Sequence, residues 1–171
     1  ATTTLKTSDN DTAGITIAQT GTTDGSGNLL TTEAGSTSTF TVVLNAKPTA
    51  DVTVSITGAD STEHSLSASA LTFTDSNWNT AQTITVTGVD DSLDDGDITT
   101  TLTATASNSG GYAGSETATT TLKTSDNDSS GITIAQTGTT DGSGNLLTTE
   151  AGSTSTFTVV LNAKPTANVT V

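Results

Sequence analysis

The sequence predicts an all-β protein built as an antiparallel β-sandwich, and three observations lead to that prediction. Short runs with apolar residues at alternate positions recur about every ten residues, which is the pattern of strands buried on one face. Gly, Asn, Asp and Pro separate these runs and mark turns. No stretch shows the period of about 3.6 residues expected of an amphipathic helix. About seven short strands at this spacing are typical of a sandwich of immunoglobulin-like kind.

The first half of the chain supplies the first strands. A brief alternation over Ile15 to Gln19 predicts one strand, and a cluster of turn residues follows at Asp24 to Asn28. Extended structure resumes over Leu29 to Glu33. The next strand is Thr39 to Leu44, whose apolar residues share one face, and it ends at the turn Asn45 to Pro48.

The second half continues the pattern. Each predicted strand again alternates apolar residues with Thr or Ser: Val52 to Ile56, Leu71 to Phe73, Gln82 to Thr87, Ile98 to Ala106 and Glu116 to Lys123. We expect Trp78 to cap the core rather than to stack on a sugar, because one Trp and one Tyr make a poor carbohydrate site.

The chain contains an internal repeat. Residues 1–54 and 118–171 align without gaps at an offset of 117 residues and differ only at positions 12/129, 13/130 and 51/168. A period of this length fits a whole domain rather than a solenoid unit. We therefore predict three parts: the last strand and linker of a preceding repeat (1–11), a complete sandwich repeat (12–128) and the N-terminal part of the next repeat (129–171).

Composition limits the possible functions. A net charge of −14 with only four basic residues argues against nucleic acid and anionic membrane as partners. The chain has no cysteine, so a small secreted domain of this kind would need a metal in place of disulfide bonds. No apolar run approaches the length of a membrane span, and no signal peptide is present. We expect an internal piece of a longer extracellular protein.

One acidic stretch, Val89 to Ile98, carries the strongest chemical signal. Five carboxylates lie within eight residues there, at Asp90, Asp91, Asp94, Asp95 and Asp97. Oxygen ligands with a Gly for the turn suit a hard cation, Ca²⁺ first. The alternative is a charged turn that is simply solvated.

The predicted order of strands separates these alternatives. If strands run alternately up and down, the same end of the sandwich receives the loops around Glu33, around Asp60 and Glu63, over Asp90 to Asp97, and the exit Asp126 to Asp128. Ten of the 14 acidic residues of the complete repeat lie in these loops. This segregation favours a calcium site at the end where the chain leaves for the next repeat.

The motifs carry a family resemblance. Thr32-Glu33-Ala34-Gly35, Leu71-Thr72-Phe73, Asn77-Trp78-Asn79, Val89-Asp90-Asp91 and Asp126-Asn127-Asp128 occur in the order of the Calx-β pattern. The chain more narrowly resembles the tandem Calx-β-like or immunoglobulin-like repeats of very large bacterial (RTX-type) surface adhesins. The resemblance implies a calcium-binding β-sandwich whose metal ligands are Glu33, Asp90, Asp91, Asp95, Asp97, Asp126 and Asp128.

Two departures from the family pattern affect this ligand set. The family often has Glu where this chain has Asp95 and Asp97. Its usual Asp-Tyr loop is replaced near Asp60 and Glu63, which makes these two residues additional candidate ligands.

From these features we expect a calcium-rigidified structural spacer, or extender, of a long adhesin of the bacterial cell surface, secreted and active in cell adhesion and biofilms. The expected partners are neighbouring repeats, bound through calcium-bound linkers, with end-to-end self-association of the incomplete repeat. We expect no nucleic acid, membrane insertion or small-molecule substrate. The alternative is a carbohydrate- or protein-binding adhesive module. An enzyme is not expected, because the lone His64 has no nucleophile motif beside it and is predicted to lie in a surface loop.

Overall fold

The computed structural model describes all residues from Ala1 to Val171, and they form two compact units. The first unit contains Ala1–Asp91 and Asp97–Asp126, and the second contains Ser92–Gly96 and Asn127–Val171. The chain therefore passes from one unit to the other three times, twice within the acidic stretch and once after Asp126.

The first unit is a β-sandwich of nine strands. Their bounds are β1 Ile15–Gln19, β2 Leu29–Thr32, β3 Thr37–Leu44, β4 Val52–Thr57, β5 His64–Leu66, β6 Ala70–Phe73, β7 Gln82–Gly88, β8 Ile98–Ala106 and β9 Thr117–Ser125. One sheet has the order β1-β3-β7-β5, and the other has the order β2-β9-β8-β4-β6. The all-β, immunoglobulin-like sandwich that the sequence predicts is confirmed.

Alternation along the strands builds the core between the two sheets. In β4, for example, Val52, Val54 and Ile56 are buried while the residues between them are exposed, because successive side chains point to opposite faces of a strand. Phe40 and Phe73 are the largest side chains in the core, and Trp78 packs against its edge as expected. Small residues such as Ala104 and Ala106 occupy other core positions, so the core is thin for the length of the chain.

The first two strands join different sheets. Strand β1 pairs antiparallel with β3, whereas β2 pairs parallel with the end of β9. The turn at Asp24 allows the chain to cross, because its carboxylate accepts hydrogen bonds from the N–H groups of Ser26 and Asn28, both at 2.9 Å. Sequence alternation predicts strands but not their partners, and an entirely antiparallel sandwich was expected. The parallel pair is a local departure from it.

The end of the sandwich opposite the acidic loops is tied together by Tyr112. Its hydroxyl donates to the carbonyl oxygen of Ala46 at 2.9 Å and accepts from the N–H of the same residue at 3.3 Å. The ring is 3% exposed. This contact connects the loop before β9 to the turn after β3, which lies 66 positions earlier in the chain.

One strand was not expected from the sequence. His64–Leu66 forms β5 at the edge of the four-stranded sheet and pairs with β7. His64 was predicted to lie in a surface loop, and this prediction is wrong, because its side chain is 1% exposed. Burial lowers the pKa of the imidazole, since a charged ring is poorly solvated there, and nearby Asp60 opposes this shift in part.

The second unit contains one antiparallel strand pair, β10 Ile132–Gln136 and β11 Phe157–Leu161. Its register pairs Ile132 with Leu161 and Gln136 with Phe157. Most of the apolar side chains of this unit are exposed.

No helix in the structure has the length and apolar character required to cross a membrane.

Candidate metal site

The strand pairings bring the acidic loops of the first unit to one end of the sandwich. The end of β2 lies beside the end of β9, where Thr32 pairs with Ser125. The start of β5 lies beside the end of β7, where His64 pairs with Gly88. The N–H of Gly88 donates to the carbonyl oxygen of Ser36 at 3.0 Å and so connects β7 to the loop after β2. We call the first unit's carboxylates in these loops the acidic end: Glu33, Asp60, Glu63, Asp90, Asp91, Asp97 and Asp126.

Glu33 lies at the centre of the acidic end. It follows β2 directly, and its N–H donates to the carbonyl oxygen of Ser125 at 3.1 Å. The chain then turns at Gly35, which has a φ of 82° and donates its N–H to Thr32 at 3.0 Å. A positive φ is easily adopted only by glycine. The Glu33 side chain is 1% exposed, which is unusual for a carboxylate.

Glu63 is the second buried carboxylate of the acidic end. It immediately precedes β5 and is 4% exposed. Its carbonyl oxygen accepts a hydrogen bond from the N–H of Val89 at 2.8 Å, which holds the start of the acidic stretch against this loop. Carboxylate oxygens of Glu33 and Glu63 lie within 4.8 Å of each other.

Asp126 brings the exit of the first unit to the same place. One of its carboxylate oxygens also lies within 4.8 Å of a Glu33 oxygen. Its N–H donates to Oδ1 of Asp97 at 3.1 Å. The last residue of the first unit is therefore held by its backbone to Asp97, directly before β8, while its carboxylate approaches Glu33.

Asp97 contacts a lysine and a backbone amide instead of other carboxylates. Its Oδ2 forms an ion pair with Nζ of Lys123 at 2.7 Å. The hydrogen bond from Lys123, followed by that from the Asp126 N–H, lowers the pKa of Asp97. Asp97 is thus placed to orient the exit segment, and it belongs to neither pair of close carboxylates described above.

The other predicted ligands have different surroundings. Asp60 is exposed and accepts from the Thr62 hydroxyl at 2.7 Å, and hydrogen bonds from Thr62 lower its pKa. Asp90 and Asp91 start the acidic stretch, next to the residue that bonds to Glu63. Asp95 and Asp128 belong to the second unit.

Asp94 was not among the predicted ligands, and it makes a specific contact within the second unit. Its Oδ2 accepts a hydrogen bond from the N–H of Ser130 at 2.7 Å. The carbonyl oxygen of Ser92 similarly accepts from the N–H of Lys164 at 2.7 Å. The tip of the acidic stretch is therefore integrated into the second unit through its own hydrogen bonds.

Two buried carboxylates at this distance repel if both are ionised. The two close pairs, Glu33 with Glu63 and Glu33 with Asp126, offer only oxygen ligands, which suit a hard divalent cation because such ions prefer carboxylate and carbonyl oxygens. Burial strengthens the preference, since a charge removed from water requires a compensating charge close by. The residues present therefore fit Ca²⁺, with Glu33 as the carboxylate shared by both pairs.

Comparison with known proteins gives structural neighbours only. No protein-family model matches the sequence, and no curated protein matches it. The solved structures that match include the apo form of the Calx CBD1 domain, at 15% identity, with 67% of this chain and 99% of that one covered and a TM-score of 0.41. They also include PapD-like domain 7 of human CEP192, at 13% identity, with coverages of 75% and 95% and a TM-score of 0.46. At this level of similarity neither neighbour bears on function.

Proposed function

We propose that this chain is a calcium-rigidified spacer, an extender repeat of a long adhesin at the bacterial cell surface that holds a distal binding region away from the cell. The observation that carries the proposal is the position of Glu33. Its buried carboxylate lies within 4.8 Å both of Glu63, in the body of the sandwich, and of Asp126, at the point where the chain leaves the first unit.

In the mechanism that we propose, a bound Ca²⁺ would hold the exit segment at Asp126 against the body of the sandwich. A bound Ca²⁺ supplies positive charge and no redox or acid–base chemistry. Glu33 and Glu63 are fixed by backbone hydrogen bonds to β9 and to Val89 respectively, so they present oxygens from a rigid frame. Asp126 presents its oxygen from the exit, where Asp97 already holds its N–H.

The charges of the carboxylates explain how the presence or absence of the cation would change the position of the exit segment. Without a cation the carboxylates repel each other and favour movement of the exit segment away from the body. With the cation the same groups favour a single position of Asp126. Ligand binding to the folded state also stabilises that state by mass action. Affinities of extracellular calcium modules are about 0.1 to 1 mM, a range in which the calcium of an external medium would control occupancy.

Calorimetric titration of the chain with CaCl₂, paired with thermal melts in excess chelator and in several millimolar calcium, tests this function. We expect a saturable binding isotherm and a rise in the melting temperature of the first unit. The variant Asp75→Asn is the matched control, because Asp75 lies in the loop after β6, away from the acidic end, and is exposed. Equal melting temperatures with and without calcium would refute the calcium tie.

A scattering measurement tests the spacer role separately. We expect the maximum dimension of the chain to become longer and better defined when calcium replaces chelator. If calcium binds and raises the melting temperature but leaves the scattering profile unchanged, the site is structural only and the spacer mechanism fails.

A further inference from the structure

A short segment of the acidic stretch belongs to the second unit. Ser92–Gly96 groups with Asn127–Val171, although both β8 and β9 lie between these two segments in the sequence. We call residues 92–96 the acidic tip. Its one apolar side chain, Leu93, lines a cavity together with Ile132 and Leu161. The acidic tip is therefore part of the packing of the second unit.

Two hydrogen bonds to backbone amides hold the acidic tip in place. The N–H of Ser130 donates to Oδ2 of Asp94 at 2.7 Å, and the N–H of Lys164 donates to the carbonyl oxygen of Ser92 at 2.7 Å. These short distances indicate well-formed bonds. The donors lie 34 positions apart in the chain, so the tip is held from two separate loops.

The Ser130 side chain adds to the contact with Asp94. Hydrogen bonds from the Ser130 hydroxyl and then from its N–H lower the pKa of Asp94. Bonds to an ionised acceptor are stronger than bonds between neutral groups. Asp94 is exposed, so these bonds, and not burial, determine where its carboxylate lies.

The internal repeat shows how the residues around Asp94 vary between copies. The two copies differ at three positions only. Ser130 stands where the first copy has Ala13, and Asn168 stands where it has Asp51. The third difference exchanges threonine for serine and keeps a hydroxyl. Ser130 and Asn168 line the same cavity as Asp94, so both differences that change the chemistry of a side chain lie around this carboxylate.

Both differences favour an acidic neighbour. Serine has a hydroxyl that donates to a carboxylate, and alanine has no polar side-chain atom. Asparagine removes the negative charge of aspartate, which would repel Asp94, and brings two N–H donors in its place. The second copy therefore has the residues that suit the acidic tip better than those of the first copy.

We propose that Ser130 and Asn168 form a receiving surface for the acidic tip of the preceding repeat, which is recognised through Asp94. Lys164 contributes its backbone N–H and anchors the other end of the tip at Ser92. The residues at positions 130 and 168 would then set how strongly two neighbouring repeats bind each other. This inference rests on the proposed spacer function for its purpose, because a spacer needs defined contacts between successive repeats.

The contact needs no cation. The groups that bind Asp94 are a neutral hydroxyl and a neutral N–H, and none of them competes with the close carboxylate pairs of the first unit. The inference can therefore be tested in excess chelator, independently of calcium binding at Glu33, Glu63 and Asp126.

The test measures amide hydrogen exchange by NMR in the full chain, in chelator and in calcium. Asp94→Ala should accelerate exchange of the Ser130 N–H by about tenfold, because a hydrogen bond to a charged acceptor is lost. Exchange of the Lys164 N–H should also accelerate, since Asp94 makes no bond to it and the change would report release of the whole tip. The effects should be the same in chelator and in calcium.

A second pair of variants gives the second copy the residues of the first. Ser130→Ala and Asn168→Asp should each accelerate exchange of the Lys164 N–H by about twofold, the scale of an exposed charged contact. The effect of Asn168→Asp should decrease at high salt, because exposed charges are screened. Asp51→Asn is the matched control, since it changes an exposed charge at the counterpart position and should leave both amides unchanged.

A double-mutant cycle isolates the role of Asp94. In the Asp94→Ala background, Asn168→Asp should no longer affect exchange, because the charge that it repels is absent. An equal effect with and without Asp94 would overturn the proposal by showing a general charge effect. Unchanged exchange of both amides in Asp94→Ala would overturn it too, as would an effect confined to calcium. Equal melting temperatures with and without calcium would refute the proposed calcium binding and leave this contact unaffected.

Discussion

Replacing Glu33 by Gln should stabilise the first unit in the absence of calcium and destabilise it in the presence of calcium. The substitution keeps the shape of the side chain and the backbone hydrogen bond to Ser125, and it removes one negative charge. The two conditions should therefore give changes of opposite sign, which a purely steric effect would not produce.

The magnitude follows from the spacing of the carboxylates. Two unit charges separated by the observed limit of 4.8 Å repel by about 3.5 kcal/mol at an effective dielectric constant of about 20. Glu33 has two such neighbours, Glu63 and Asp126, and counting only one keeps the estimate low. At about 4 °C per kcal/mol for a domain of this size, the melting temperature in chelator should rise by about 14 °C.

In calcium, Glu33→Gln should lower the melting temperature relative to the unsubstituted chain. The sign is opposite to that in chelator because Glu33 is the carboxylate common to both close pairs, with Glu63 and with Asp126. Adding calcium should raise the melting temperature of the wild-type chain. The same addition should raise the melting temperature of Glu33→Gln much less. Differential scanning calorimetry measures the melting temperatures in chelator and in calcium at constant ionic strength, and Mg²⁺ serves as the comparison cation. Asp75→Asn should change neither melting temperature by more than about 1 °C, because an exposed substitution away from such contacts has little effect.

One result would refute the charge argument directly. If Glu33→Gln lowers the melting temperature in chelator and calcium has the same effect on both proteins, the buried carboxylate is stabilised by its own hydrogen bonds. The acidic end would then be a structural network with no role for a cation.

Three further predictions concern groups that hold the sandwich together. The contact with Lys123 lowers the pKa of Asp97, so its contribution to stability is present above the ordinary pKa of an aspartate and is lost as pH falls through the lowered value. Asp97→Asn should therefore flatten the pH dependence of the melting temperature below about pH 4; an unchanged profile would show that the pair contributes nothing. Tyr112→Phe should lower the free energy of unfolding by about 1 kcal/mol in urea titrations, and a neutral result would mean that water replaces the hydroxyl. Gly88→Ala should cost about 3 kcal/mol, because its Cβ would collide with the carbonyl oxygen of Thr32 in β2, whereas Gly25→Ala, with nothing within 4 Å, should be tolerated.

The sequence predicted most of the strands because their signal is local. Alternation of Val, Ile and Leu with Thr identifies a strand wherever one face is buried. Strand β5 has no such signal, since His64 and Ser65 are polar and only Leu66 is apolar. Its existence depends on pairing with β7, a contact across about 20 positions that composition does not encode. The burial of His64 was missed for the same reason.

The candidate site was predicted in outline but not in its detailed contacts. Glu33 was predicted as a metal ligand from its motif; the structure shows that it is 1% exposed, and its role as a ligand stays a prediction. Glu63 was only an additional candidate because its loop departs from the family pattern, yet it is buried beside Glu33. The ion pair of Asp97 with Lys123 could not be predicted, because it depends on the register of β8 against β9, and alternation alone does not determine register.

The same distinction between local and non-local signals explains why a cation would matter to this fold. Thr-rich strands with Ala at several core positions bury little apolar surface per residue. Ordering such a chain requires pairings that are distant in sequence, and their entropic cost must be offset by interactions formed only in the complete sandwich. The acidic end is assembled from loops that follow β2, β4, β7 and β9, so its geometry exists only when both sheets are formed. A cation bound there would therefore stabilise the whole repeat and the position of its exit together, which links the rigidity of the proposed spacer to its folding.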